Sequence, residues 1–333
     1  MLFRVEVLVD LVRRILVRHG MSEGNAAIIA AVCVAAERDG AENHGIFRIV
    51  SYVAALQSGW VDGQARPILD NKAAASIIGV DACNGFAQPA LAVAKMLAIE
   101  KAKRTGCCLV AIRNSHHLSP LWPDVEMFAR EGLVTLAFVN SIMHVVPPGG
   151  RVPVYGTNPM AFGVPRAEGE PLIFDQASST MAFGEVRLAA RAGKMLAPGV
   201  GVDRNGNPTT DPMAIIEGGA LLPFGGYKGA SIAMMVEILA AALTGGAFAF
   251  EVDYSQFSAA PTARTGELVI LIDPQRAGRT DFTSRIEVLV KALRASGQAR
   301  LPGDRRYLAR QLAEERGIEI GADVLQELSH LLS

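Results

Sequence analysis

The sequence predicts a mixed α/β protein in which a central sheet domain is joined to a helical domain built from both chain ends. Three observations carry that expectation. Apolar side chains in the first part of the chain repeat at the spacing of one helical face. From residue 73, short β-rich runs alternate with helical segments, and from residue 284 the pattern returns to helix. The expected division is residues 1–70 with 284–333 as the helical part and residues 71–283 as the α/β part.

Taken in order, Leu8, Leu11, Val12, Ile15 and Leu16 give an amphipathic helix that ends near Gly20. Ser22 is placed to cap a second helix running through Ile28, Ile29, Val32 and Cys33 towards Asp39. Ile46, Ile49, Val50 and Val53 mark a third, reaching about Gly59. Strands are expected at 76–80, 107–112, 133–139, 172–174 and 268–272, with helices at 89–103, 181–192 and from 284 onward. Residues 147–165 are crowded with Gly and Pro and read as loop, and residues 198–212 as a turn-rich excursion.

Residues 229–250 carry only one charge, Glu237, and are long enough to span a bilayer. Glu237 in the middle, Gly245 and Gly246, and a single flanking Lys228 argue instead for a buried core helix.

The 333 residues are 50% hydrophobic and 20% charged, with Lys+Arg of 32 against Asp+Glu of 33. A net charge of -1 leaves no basic surplus for nucleic acid or a membrane surface, so small-molecule partners are expected. Cys33, Cys83, Cys107 and Cys108 have no C-x-x-C spacing, which argues against a disulfide framework or a zinc cluster and for a reducing, cytoplasmic setting. Residues 1–20 carry an Arg or Glu every few positions and do not read as a signal peptide. His116 and His117 are adjacent, so they point apart, and no metal is expected. The run from Asp203 to Gly206 begins like a calcium loop, but the closing position holds Ala214, so it reads as a β-turn.

No G-x-G-x-x-G lies between a strand and a helix, and there is no Walker loop. His44 and Arg48 are four apart at an expected helix start, pairing a group that titrates near neutrality with a permanent cation suited to a carboxylate. The same spacing is that of an ordinary helix start with a surface His and Arg. Gly149 and Gly150 followed by Y-G-T-N-P at 155–159 could offer backbone N–H groups and the Thr157 hydroxyl to an anion. Lys228 sits in a glycine-rich turn before a long helix, suited either to a phosphate or to open solvent. Arg300, Arg305 and Arg306 surround a Pro-Gly turn and could hold a phosphate or line a solvated face.

Together these segments resemble the malate/L-lactate dehydrogenase type 2 family. N-H-G-I-F-R at 43–48, N-S-H-H at 114–117, P-P-G-G followed by Y-G-T-N-P, F-D at 174–175, P-F-G-G-Y-K-G at 223–229 and R-L-P-G-D-R-R at 300–306 occur in that family's order over nearly the whole chain. Within it, D-A-C-N-G-F-A-Q-P-A-L-A at 81–92 and L-W-P-D-V-E at 121–126 are most similar to the members that reduce Δ1-piperideine-2-carboxylate and Δ1-pyrroline-2-carboxylate.

The resemblance implies a non-Rossmann fold, a homodimer and NADPH, with NADH as the other nicotinamide donor. It makes His44 the proton donor, with Asn43 and Glu185 in a relay, and Arg48 the clamp on the substrate carboxylate. Thr157, Phe183 and Gly184 would also border the substrate. The implied cofactor positions are His117, Leu118, Ser119, Pro120 and Leu121, then Asp175, Gln176 and Ala177, then Tyr227 and Lys228, and finally Arg300, Leu301, Pro302, Gly303, Asp304, Arg305 and Arg306. Two positions depart from the family, which usually carries Ser where Asn43 stands and Asp where Glu185 stands. The expectation is that Glu185 keeps the relay and raises the His44 pKa. The rival expectations are a 2-hydroxy acid/2-keto acid dehydrogenase of the same family and an NADPH-binding homologue with impaired catalysis.

Overall fold

The computed structural model describes residues 1–70, 75–257, 262–278 and 281–332, so the expected boundary position 71 lies outside the described residues. Its centre is a seven-stranded sheet with strands in the order Ile68–Asp70, Ile77–Phe86, Cys107–His117, Ala263–Ile272, Val134–Val139, Met160–Val164 and Leu172–Gln176. Only Ile77–Phe86 and Cys107–His117 run parallel, joined by the helix Ala87–Thr105, as a parallel pair requires a long crossover. Every other neighbouring pair is antiparallel, so this is not a doubly wound sheet. Val80, Val110, Ile112, Val269 and Leu271 point into one apolar core with Leu91, Val125 and Phe128 from the covering helices.

The chain ends meet. Leu2–Phe3 pairs with Ile318–Glu319, and the helix Ala322–Leu332 packs on Val5–Arg18 and Ile49–Gln57. Leu8, Val12, Ile15 and Leu16 are buried with Ile318, Ile320 and Leu328 in a second core. The helix Asp304–Arg316 is tied inward by Arg310, whose guanidinium reaches Asp39 at 2.6 Å and Glu126 at 2.8 Å. The helix Phe282–Ala295 is fastened instead to the segment beyond Met160–Val164, through Glu287 and Arg166 at 2.8 Å.

Several elements differ from the sequence reading. Residues 147–165 are not all loop, because Met160–Val164 forms a sheet strand whose Gly163 leaves room for Val125 and Ala129 of the helix behind it. The local abundance of Gly and Pro hid its alternation. The apolar stretch 229–250 forms Tyr227–Glu237, continues with a π turn at Ile238–Ala242 and ends ahead of Gly245 and Gly246. Its Glu237 carboxylate accepts from the amides of Asn140 and Asn158, both at 2.9 Å. No helix among the described residues is long and apolar enough to cross a membrane.

The third N-terminal helix starts at Ile49 rather than Ile46. Ahead of it lie two short 3-10 turns, Glu42–His44 and Ile46–Arg48, separated by Gly45 in a non-helical conformation. His44 and Arg48 therefore do not share a helical face. Gly45 is required because a Cβ there would sit 3.1 Å from the Glu37 Cα and run into its carboxylate. That carboxylate accepts from the Ile46 N–H at 2.8 Å, and burial pushes its pKa up to about 7.

Candidate active site

A cavity of about 570 Å³ opens where the 42–48 turns, the end of the strand Cys107–His117, the strand Leu172–Gln176 and the start of the helix Phe183–Arg191 converge. It collects side chains from widely separated segments, including Asn43, His44, Arg48, Thr157, Phe183 and Arg306.

His44 is fixed by its neighbours. Its Nδ1 lies 3.1 Å from the Leu118 carbonyl oxygen, which can only accept, so Nδ1 carries the proton. Burial, the Arg48 charge and His117 together push its pKa down to about 3, which leaves it neutral near pH 7. Its Nε2, which has no partner among the described residues, offers a lone pair to the cavity.

Arg48 is 7% exposed, and its Nε donates to the Asn43 carbonyl at 2.7 Å. Burial first, and then the neighbouring Arg187, lower its pKa to about 10, so it remains a cation without a carboxylate partner among the described residues. Gly184 makes room for it, since a Cβ there would lie 2.6 Å from the Arg48 Nη2. A buried guanidinium whose charge is uncompensated calls for an anionic ligand.

Thr157 is held by Ser141, whose Oγ accepts from the Thr157 N–H at 2.9 Å and lies 3.1 Å from its Oγ1. The Thr157 backbone donor is therefore committed, which corrects the expectation that it faces an anion; the hydroxyl remains at the wall. Asn158, at φ 36°, anchors this turn through Ser141 and Glu237.

Glu185 lines the cavity, but its carboxylate accepts from the Ala182 N–H at 3.2 Å and caps its own helix. It makes no hydrogen bond to His44, whose low pKa is the reverse of the expected elevation. The relay anticipated from the sequence is absent among the described contacts because the carboxylate is spent locally.

Among the expected cofactor positions, His117, Leu118, Ser119, Pro120, Leu121, Asp175, Gln176, Ala177, Arg305 and Arg306 all border the cavity. The Asp175 carboxylate accepts from the Leu121 and Trp122 N–H groups at 2.8 and 2.9 Å, so it shapes the wall rather than offering itself freely. Ser119 accepts from Gln88 at 2.6 Å. Arg306 donates to the Ile173 carbonyl at 2.7 Å and lies over the Trp122 ring, whereas Arg305 stands exposed with no ion pair among the described residues.

Arg300, Leu301, Pro302, Gly303 and Asp304 are not in the cavity wall; Asp304 closes the turn by accepting from the Leu301 N–H at 2.8 Å. Tyr227 and Lys228 are exposed outside this cavity.

The sequence reading missed His144 and Arg187. The His144 ring stacks on Phe183 at 3.7 Å and 3° between planes, and the Arg187 guanidinium lies over the same Phe183 ring, 5.4 Å from its centroid. The i,i+4 spacing of Phe183 and Arg187 was the available signal; His144, in an irregular segment, gave none.

Behind the wall, His117 Nε2 meets Asp124 Oδ2 at 3.0 Å, while His116 turns the other way to Thr262 and Asn84. Glu267, fully buried and without a hydrogen-bond partner among the described residues, lies close to both His117 and Asp124. Burial first, and then the nearby Asp124, push its pKa well above the ordinary carboxylate value.

The comparisons agree with this architecture. A family model described as malate/L-lactate dehydrogenase matches residues 3–329. The chain is 55% identical to a Δ1-pyrroline-2-carboxylate/Δ1-piperideine-2-carboxylate reductase of Pseudomonas syringae pv. tomato, over 97% of this chain and 94% of the relative. It is similar to the crystal structure of a Δ1-piperideine-2-carboxylate reductase from the same organism, with TM-score 0.97, 53% identity and 99% of each chain covered. It also resembles a sulfolactate dehydrogenase from Methanocaldococcus jannaschii, at TM-score 0.87 and 28% identity, covering 99% of this chain and 96% of that one. With the motif order, the mixed sheet and these matches in agreement, the chain belongs to the malate/L-lactate dehydrogenase family.

Proposed function

We propose that this protein is an NADPH-dependent reductase of cyclic imine carboxylates, converting Δ1-piperideine-2-carboxylate to L-pipecolate and Δ1-pyrroline-2-carboxylate to L-proline. Membership of a dehydrogenase family makes it an oxidoreductase that uses a nicotinamide cofactor. The relatives named above supply the substrate class.

The observation that carries the reading is the state of His44. Held neutral with a lone pair at Nε2, it is an acceptor, and a protonated ring nitrogen presents the N–H donor that matches it. A keto acid would instead need His44 to donate a proton to the developing alkoxide, which its low pKa opposes. The iminium enters already protonated, so its carbon is electrophilic and no proton has to move during reduction. Arg48 pairs with the carboxylate, the Thr157 hydroxyl adds a contact, and the Phe183 and His144 stack forms a flat wall for the ring.

The cofactor, when bound, supplies the hydride. The residues fit it: Ser119, the 117–121 backbone and two guanidiniums border one cavity. Arg305, without a carboxylate partner among the described residues, supports NADPH over NADH because a 2′-phosphate would meet a free guanidinium. We also infer a homodimer, supported by exposed Met234, Met235, Ile238 and Leu243 on one helical segment close in sequence to Tyr227 and Lys228. A cytoplasmic setting, and a helical unit made from residues 1–70 with 284–333, belong to the same reading, the latter supported by the pairing of Leu2–Phe3 with Ile318–Glu319.

The test is NADPH oxidation with each cyclic imine and with pyruvate, on wild type and His44→Ala. Reduction of the imines that collapses in the variant is expected. Activity on pyruvate alone would move the protein to the hydroxy-acid branch, and cofactor binding without turnover would mark a catalytically impaired homologue.

A further inference from the structure

The cavity holds more positive charge than one carboxylate needs. Arg48 and Arg187 both line it, and neither has a carboxylate within ion-pair reach among the described residues. The nearest acid in sequence, Glu185, is turned to the Ala182 N–H. Arg187 is not a loose surface group. Its guanidinium is laid over Phe183, and Phe183 is stacked flat on His144, so the cation is pre-positioned by a cation–π contact rather than by a salt bridge. Its charge is felt across the site, since after burial it is the next cause that lowers both Arg48 and His144. Partly burying a guanidinium without a counter-charge is unfavourable, and an anionic ligand group removes that cost.

We propose that Arg187 is a second anion-recognition residue of the substrate half of the cavity, so that the site accepts cyclic imines or related acids bearing an acidic group in addition to the 2-carboxylate held by Arg48. This rests on the reading of Arg48 as the carboxylate clamp and extends it from monocarboxylates to dicarboxylates. Arg187 decides between substrates by charge; it takes no part in moving hydride or proton. Phe183 and His144 set its distance from Arg48, and neutral His144 adds no competing positive charge.

The test uses unreactive planar analogues, so it does not depend on turnover. Binding of pyridine-2-carboxylate is compared with that of pyridine dicarboxylates whose second acid is at C4, C5 or C6, on wild type, Arg187→Gln and Arg187→Lys with NADPH present. At least one dicarboxylate is expected to bind wild type more tightly than the monocarboxylate. Arg187→Gln should weaken that dicarboxylate about 30-fold, as loss of a charge-assisted contact implies, with the monocarboxylate changed less than about threefold. Arg187→Lys should restore part of the difference. Equal weakening of both ligands, no preference in wild type, or a rise in the NADPH Kd of Arg187→Gln would overturn the proposal; the last would make the anion a cofactor phosphate. Failure of wild type to reduce any cyclic imine, with the dicarboxylate preference intact, would instead sink the proposed reaction and leave Arg187 in its role.

Discussion

Two neighbouring histidines line the same cavity, and they are held in different ways. His44, in the short turns 42–48, is pinned by a backbone carbonyl, whereas His117, at the end of a sheet strand, meets the Asp124 carboxylate at 3.0 Å. A carbonyl at Nδ1 leaves the other ring nitrogen of His44 for the cavity, while the Asp124 carboxylate occupies Nε2 of His117, so one imidazole offers its Nε2 to a ligand and the other spends it inside the protein. The lesson is that the site's acid–base character comes from what each segment places behind its histidine.

The sharpest break in this comparison comes from the 42–48 side. Arg48→Ala is expected to lower kcat/KM for a cyclic imine carboxylate about 10³-fold, because two charge-assisted bonds to the carboxylate are lost together. Steady-state kinetics on both ring sizes checks it. His44→Leu should cost about 10²-fold in kcat, since the acceptor for the ring N–H is removed and no polar atom replaces it. Unchanged kcat there would remove His44 Nε2 as the acceptor for the ring N–H.

Gly184→Ala tests the fit between the walls. The added methyl would lie 2.6 Å from Arg48 Nη2 and 3.3 Å from the Asn43 carbonyl oxygen, so the guanidinium must move. A KM raised about tenfold with kcat within about threefold is expected, as for a displaced binding group. Glu185→Gln is a smaller change: Gln keeps an oxygen for the Ala182 N–H, so activity should stay within about threefold and the pH profile should not move. A shifted acid limb would reinstate the relay to His44.

The smallest effect is on stability. Glu37 has its pKa raised by burial from 4.5 up to about 7, so the native state binds a proton that the unfolded state releases above about pH 4.5. That contribution is present at low pH and is lost as pH rises through the window to about 7. Glu37→Gln, which can still accept from Ile46 N–H, should therefore match wild type near pH 4 and melt about 2 °C higher at pH 8. Equal melting temperatures at pH 8 would contradict the buried, raised carboxyl.

Much of the fold was legible because periodicity survives in one sequence. Leu8, Val12, Ile15 and Leu16 do form one buried face, and Ser22 does cap its helix through the Asn25 N–H. Met160–Val164 was not legible, since its partners come from distant strands and neighbouring Gly and Pro residues dominate the local pattern. The cavity shows the same limit. The motif containing His44 and Arg48 could be read, but the break at Gly45 depends on Glu37, nine residues upstream of Ile46. Glu185 was read as a relay from its position in a motif, while its helix-capping role is a matter of local geometry. The stack of His144 on Phe183 joins two segments whose proximity only the folded chain reveals.

The central claim is that His44 presents a neutral Nε2 acceptor to the cavity. A ¹⁵N histidine NMR titration of the protein, with His44→Gln used to assign the resonance, reads this directly. The account predicts that His44 stays in the neutral Nδ1–H tautomer from pH 8 down to pH 5. Titration near the ordinary imidazole value, about 6.5, or an Nε2–H tautomer, would contradict it.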